Sequence, residues 1–392
     1  MHSLPNIFIR KTSSYISLIL AATWCLWILP GKIAASPVDV ECPAGSSLDA
    51  CVAQACQNAD GGKVLLQAGV YDANVKSAIN NNNTGAGLCP GGVSVYGKGP
   101  NKTFLVSQGP NRLNANVSLQ WALAIGSPFG EMSGHVEIRD LTIRCDAPGL
   151  CPNFAASVIN AASAVVSNIT VEGFTRGIQG SSSNLVITNN TLRGMGADNF
   201  NGRGIFAVGA NSTKENVEIS ENDLHDYWRG LVADTLLNTT IAKNSFSEVA
   251  QGIFAQNLDG DLTISENIIH SSDLGIFLGL ALAVFDPELG DFVVTGSTAD
   301  PMVLDNFIPG STTGIGVSFA PGFGTVLTVD GNKIVGTESA LQIDPDLTPP
   351  NLPPPPPSDP TYDPCLHRVV WDDNFIRPKA AIPMLDSATC GE

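Results

Sequence analysis

The chain has 392 residues with a formal net charge of −17, 43% hydrophobic residues and 15% charged ones. That much apolar sequence can bury a large core, and the scarcity of charge argues against a disordered chain. The acidity repels nucleic acid and anionic lipid surfaces, so neither is expected as a partner.

Residues 1–36 read as a targeting segment. Arg10 and Lys11 precede an apolar run from Ile16 to Leu29, which Pro30-Gly31 interrupts, and Ala34-Ala35-Ser36 supplies small residues for cleavage. The run is short for a membrane span, so a cleaved signal peptide, secretion and no stable membrane span are expected. Residues 37–60 form an N-terminal cap, with Asp49 to Ala59 able to make a short helix held by Cys51 and Cys56. Once Cys25 is removed, the remaining cysteines fall into local even-numbered groups. These are Cys42, Cys51, Cys56 and Cys89; Cys145 and Cys151; and Cys365 and Cys390. They suit disulfides in an oxidising compartment, the first group allowing three connectivities. Sequons stand at Asn101, Asn116 and Asn211.

From residue 61 to 348, and once more after a proline-rich run, the chain repeats itself. Val136–Ile143, Val186–Leu192, Val217–Leu224, Thr240–Phe246, Leu262–Ile269, Met302–Ile308, Leu327–Ile334 and Val370–Ile376 share one pattern. Each has an alternating apolar strand, a polar corner and a second short strand. The corner carries Asn190, Asn222, Asn244, Asn267, Asn306, Asn332 or Asn374, with Leu141 and Ile169 at the corresponding place in two earlier copies. A third strand then opens on glycine: Gly177, Gly204, Gly230, Gly252, Gly275 and Gly314. A period of about twenty to thirty residues predicts stacked coils, since one such unit cannot bury its apolar face alone. Stacking at about 4.8 Å pairs each strand with its copies and lets corner asparagines bond to one another. The expected fold is all-β: a right-handed parallel β-helix of three-strand coils with an Asn ladder and a short N-terminal cap. Residues 349–364 are a proline-rich excursion, and residues 365–392 a last coil with a tail that a Cys365–Cys390 bridge would pin.

These repeats, together with Gly61–Tyr71 and Val93–Leu105 as opening coils, resemble the pectin-lyase-like superfamily over about Gly61 to Ile376. The resemblance implies a surface that acts on or binds polysaccharide, with substrate lying along the outside of one sheet. It transfers no catalytic set. The polygalacturonase, pectate-lyase and alginate-epimerase signatures are missing, and Asp372-Asp373 comes too late in the chain to serve as the first of these.

The candidate site lies on the glycine-initiated strands. Alternation turns Gln179, Phe206, Val232, Phe254 and Phe277 outward, with Asp234 and Gln256 two residues further on. Arg176, Arg203 and Arg229 stand before three successive glycines, with Phe174, Phe200, Tyr227, Trp228, Glu172, Asp198 and Asp226 just upstream. Arginine forks match carboxylates, and aromatic rings cover sugar faces, so an anionic glycan is the expected partner and a monomer the expected state. Lyase chemistry on a uronate needs a base and a charge stabiliser. Arg203 and Arg229 are candidates for either role, with Asp226 and His225 as catalytic partners. Arg176, Phe206, Trp228, Asp234, Phe254 and Gln256 are candidates for substrate binding. Asp198, Asp226 and Asp234 are candidate Ca²⁺ ligands. The alternative is a non-catalytic extracellular carbohydrate-binding or structural protein, in which turn acids neutralise the same arginines.

Overall fold

A computed structural model describes residues 38–57, 61–73, 89, 91–107, 121–126, 132–147, 151, 153–209, 216–257, 259–286, 291–296, 300–319, 325–343 and 367–377. The targeting segment, the proline-rich run, the Cys365–Cys390 pair and the sequons at Asn116 and Asn211 lie outside these residues. The described chain is all-β apart from one helix, and its strands pair in parallel except for one hairpin. No helix among the described residues is long and apolar enough to cross a membrane.

Pairing resolves into three parallel ladders, A, B and C, which every full coil visits in turn. Ladder A precedes the corner asparagine, and one inward column shows its regularity. Val40, Val64, Val95, Ile138, Val166, Ile187, Ile219, Ile241, Ile264, Val303 and Val329 follow one another strand to strand. All are buried. Ladder B follows the corner and points Leu105, Ile143, Val171, Leu192, Leu224 and Phe246 inward. Ladder C is the glycine-initiated sheet, with Ile178, Ile205, Leu231, Ile253, Ile276 and Ile315 inside. Each column places like against like at strand spacing, so the core extends as ladders of aliphatic side chains.

The corner asparagines do what their spacing predicts. Asn190 Nδ2 donates to Asn222 Oδ1 at 2.8 Å, and the series runs through Asn244, Asn267, Asn306 and Asn332 to Asn374 at 2.9–3.0 Å. Each Oδ1 also accepts from the backbone N–H of the preceding asparagine, and in the first case from Ile169 N–H. The bend leaves these backbone groups without sheet partners, and the side chains supply them. The residue before each asparagine is left-handed: Asn189, Glu221, Lys243, Glu266, Asp305, Gly331 and Asp373 have φ between 43° and 68°. Such a bend at a non-glycine residue costs energy that the ladder offsets.

The glycines opening ladder C have a different reason. A Cβ on Gly204 would lie 2.5 Å from the Gly230 carbonyl and 2.5 Å from a Leu224 methyl carbon. Ladder B side chains fill the space that any larger residue would need.

The cap helix α1 spans Leu48–Cys56, slightly earlier than the sequence suggests, with Ser47 accepting from the Ala50 N–H. It buries Leu48, Val52 and Ala55. The first cysteine group pairs as Cys42–Cys51 and Cys56–Cys89, and Cys145 pairs with Cys151. Parallel pairing begins at Val38, inside the cap. The repeat is also less even than the period suggests: successive corner asparagines are 32, 22, 23, 39, 26 and 42 residues apart. The 39-residue step contains an antiparallel hairpin, Ala281–Asp286 against Asp291–Gly296, which leaves ladder C after the coil of Phe277.

Candidate functional site

The outward face of ladder C carries two adjacent columns. The first reads Trp121, Phe154, Arg176, Arg203, Arg229, Gln251 and Leu274. The second reads Ala124, Ser157, Gln179, Phe206, Val232, Phe254 and Phe277. The three arginines are therefore in register on consecutive strands, as the spacing predicts. Every guanidinium meets an aromatic face: Arg176 over Phe154 at 5.0 Å, Arg203 over Phe206 at 4.6 Å, and Arg229 over both Trp228 at 4.2 Å and Phe254 at 3.9 Å. Phe254 stacks on Phe277 with centroids 4.6 Å apart, and Trp228 meets Phe200 edge to face at 5.6 Å. Val232, Phe254 and Phe277 form a small apolar cluster of their own, separate from the core inside the coil.

No carboxylate among the described residues lies within ion-pair distance of Arg176, Arg203 or Arg229. Glu172, Asp198 and Asp226 do not neutralise them. Neutral groups are their polar partners: Arg176 Nε donates to the Asn201 carbonyl at 3.3 Å, and Arg229 Nε to Gln251 Oε1 at 2.8 Å. Arg203 Nε is buried with no partner among the described residues. Burial lowers the pKa of all three, and like charge adds to it at Arg203 and Arg229. Arg176 lowers Arg203, which Asp234 partly offsets, and Arg203 helps push Arg229 down to about 10. The strip therefore holds three like charges in register with no carboxylate partner among the described residues.

The other candidates are distributed differently. Asp234 stands in a third outward column beside Val208 and Gln256. Its carboxylate accepts from Gln256 Nε2 and Asn257 Nδ2, both at 2.9 Å, and from Thr235 at 3.0 Å. The Asp234–Gln256 pair is thus bonded internally. Asp226 is left-handed at the turn between ladders B and C and faces a cavity shared with Glu248 and His270. Among the described residues no three acidic, histidine or cysteine side chains gather for a metal, so Asp198, Asp226 and Asp234 do not form the expected Ca²⁺ set. His225 is on ladder B rather than beside the arginines, because it belongs to the strand Asp223–His225 that ends before the turn. Its Nε2 meets Asp223 Oδ2 at 2.8 Å, and its Nδ1 meets Ser247 Oγ. Phe174 and Tyr227 are fully buried and serve the core, whereas Phe200 is 75% exposed. Sequence reading passed over Phe154 and Gln251, which share the arginine column. Gln251 precedes Gly252 as Arg229 precedes Gly230, so that signal was present.

These features define an all-β protein of stacked parallel coils bearing an arginine–aromatic strip on one outer sheet. No family model matches the sequence, and no curated protein matches it. Solved structures similar to the chain include a double mutant of the periplasmic alginate epimerase AlgG. It is 12% identical over 80% of this chain and 77% of that one, with a TM-score of 0.39. The A-module of Azotobacter vinelandii mannuronan C-5 epimerase AlgE4 is 14% identical over 86% of this chain and 94% of that one, TM-score 0.37. The catalytic domain of a GH87 α-1,3-glucanase variant in complex with nigerose is 15% identical over 88% and 67%, TM-score 0.38. At these values the assignment of the fold rests on the ladders themselves.

Proposed function

We propose that the protein is a secreted right-handed parallel β-helix that binds an acidic, uronate-containing polysaccharide along the outer face of ladder C and cleaves it as a lyase. The observation that carries this reading is the stack of Arg176, Arg203 and Arg229, in register and without carboxylate partners among the described residues. Each guanidinium fork suits a uronate carboxylate, and the exposed Phe200 and the adjacent Trp228 offer faces for the sugar rings. The disulfides are consistent with an oxidising compartment.

Elimination passes the proton beside the uronate carboxylate to a base, its electron pair forms the C=C bond as the glycosidic C–O bond breaks, and the leaving oxygen takes a proton from water. The base must be neutral when it acts. Arg229, lowered to about 10 by burial and by Arg203, is the basic group of the strip closest to that state. Arg203 and Arg176 then stabilise the charge that gathers on the carboxylate. Among the described residues Asp198, Asp226 and Asp234 do not converge, so the arginines carry the charge stabilisation in this reading.

Non-catalytic binding is the second reading, favoured by the position of His225, which leaves the strip without an imidazole base. Absorbance of unsaturated uronates, followed on pectate and alginate with and without chelator, separates the two. A rising signal that Arg229→Ala abolishes supports the lyase. A flat signal with retained polymer binding supports the second reading, and no binding at all removes the strip from both.

A further inference from the structure

Ladder B carries a second constellation that the arginine strip does not use. His225 sits between Asp223 and Ser247: its Nε2 is 2.8 Å from Asp223 Oδ2, and its Nδ1 is hydrogen-bonded to Ser247 Oγ. The register explains the meeting. Asp223 and His225 are two apart on one strand and so face the same way, and Ser247 is the cross-strand partner of His225 in the next coil. The inward Leu224 between them is fully buried, which fixes the pair on the outer face. The Asp223 and His225 side chains are 46% and 26% exposed, so the group is reachable from solvent.

The chemistry of the partners sets the tautomer. An ionised carboxylate only accepts, so Nε2 carries the proton given to Asp223, and Nδ1 presents its lone pair to the Ser247 hydroxyl. That is the arrangement a serine nucleophile requires: an adjacent base, itself oriented by a third group. A recess adjoins it. Asp226 follows His225 in the chain, Glu248 follows Ser247, and both line an open recess with Ala197, Val249, His270, Ser271 and Pro309. Arg193 is the cross-strand neighbour of His225 on its other side and supplies a cation on the same column.

We propose that Ser247, His225 and Asp223 form a hydrolytic site for O-acyl esters, independent of the ladder C strip. Ser247 Oγ attacks the ester carbonyl as its proton passes to His225 Nδ1. The ester C–O bond breaks, and the alcohol leaves with that proton. Water then attacks the acyl-serine, gives a proton to Nδ1 and releases the acid, and Ser247 regains its hydrogen. Ser247 and His225 are the catalytic residues, and Asp223 is a positioning residue.

The test uses the full chain with two probes, a fluorophosphonate and p-nitrophenyl acetate. The expected result is a single covalent adduct on Ser247, located by peptide mass spectrometry, and catalytic release of p-nitrophenol. Ser247→Ala abolishes the adduct and lowers kcat by at least about 100-fold. Asp223→Asn lowers kcat with KM unchanged, since the amide no longer fixes the tautomer, whereas a merely structural role would leave kcat intact in the folded variant. Circular dichroism confirms that each variant is folded. Absence of a Ser247 adduct on the folded wild-type chain, or hydrolysis that survives Ser247→Ala, overturns the proposal. Loss of ester hydrolysis in Ser247→Ala with uronate binding intact separates this site from the arginine strip.

Discussion

Replacing Asn244 with alanine tests whether the corner ladder holds the coils together. Asn244 is 1% exposed. Its Nδ2 donates to the Ile219 carbonyl at 2.9 Å, the Ala242 carbonyl at 3.1 Å and Asn267 Oδ1 at 3.0 Å. Its Oδ1 accepts from the Asn222 backbone N–H at 3.0 Å and from Asn222 Nδ2 at 2.9 Å. Alanine strands the Asn222 N–H and takes a donor from the Ile219 carbonyl, both buried. At about 1–3 kcal/mol for each buried group left unpaired, the loss is about 2–6 kcal/mol. That is a large share of a typical stability of about 5–15 kcal/mol, and for a chain of this size it corresponds to a fall in Tm of about 3–8 °C. Asn374→Ala is the control. Its bonds to Val329, Asp372 and Asn332 are only partly buried, so water replaces them and the loss stays below about 1 kcal/mol. Thermal and urea denaturation followed by circular dichroism measure both variants, and amide exchange reads the Asn222 N–H directly. Equal losses in the two variants, or an Asn222 amide still protected in Asn244→Ala, would show that buried corner groups do not depend on the side-chain ladder.

Three further outcomes are expected. Gly230→Ala places a Cβ 2.3 Å from the Phe246 ring and 2.9 Å from the Gly252 carbonyl, so it destabilises by about 1–3 kcal/mol or more in the same melts. Arg203→Met removes a desolvated charge that has an unpaired Nε and lies beside two like charges, while keeping a stem over Phe206. It is expected to raise Tm and weaken uronate binding in calorimetry, as a residue kept for function would. The same change removes a cause of the lowered Arg229 pKa. Since the neutral form of a base grows as pH rises through its pKa, lyase turnover in the wild type should climb towards about pH 10, and Arg203→Met should shift that climb to higher pH.

The repeats were legible because stacking imposes them on the sequence. An inward position must be apolar in every coil, a corner must be asparagine wherever the ladder continues, and the first residue of ladder C must be glycine where Leu224 or Phe246 fills the space. The arginine column followed from the same logic, since a fixed offset from each glycine is a fixed place on the outer face. The excursions were not legible in the same way. The hairpin at Ala281–Asp286 leaves the stack, so the coil repeat does not constrain its sequence.

The sequence by itself determined the coil period, the inward and outward alternation, the Asn ladder and the registration of Arg176, Arg203 and Arg229, because each depends only on residue type at a fixed offset. Tertiary structure alone decided the rest. It chose Cys42–Cys51 and Cys56–Cys89 among the open connectivities, left the arginines on aromatic rings rather than on their turn acids, scattered Asp198, Asp226 and Asp234, and moved His225 to another sheet beside Ser247. The placement of the arginines, the acids and His225 depends on the turn geometry between ladders B and C. A left-handed residue such as Asp226 there turns the chain, so side chains only a few residues apart end on different faces.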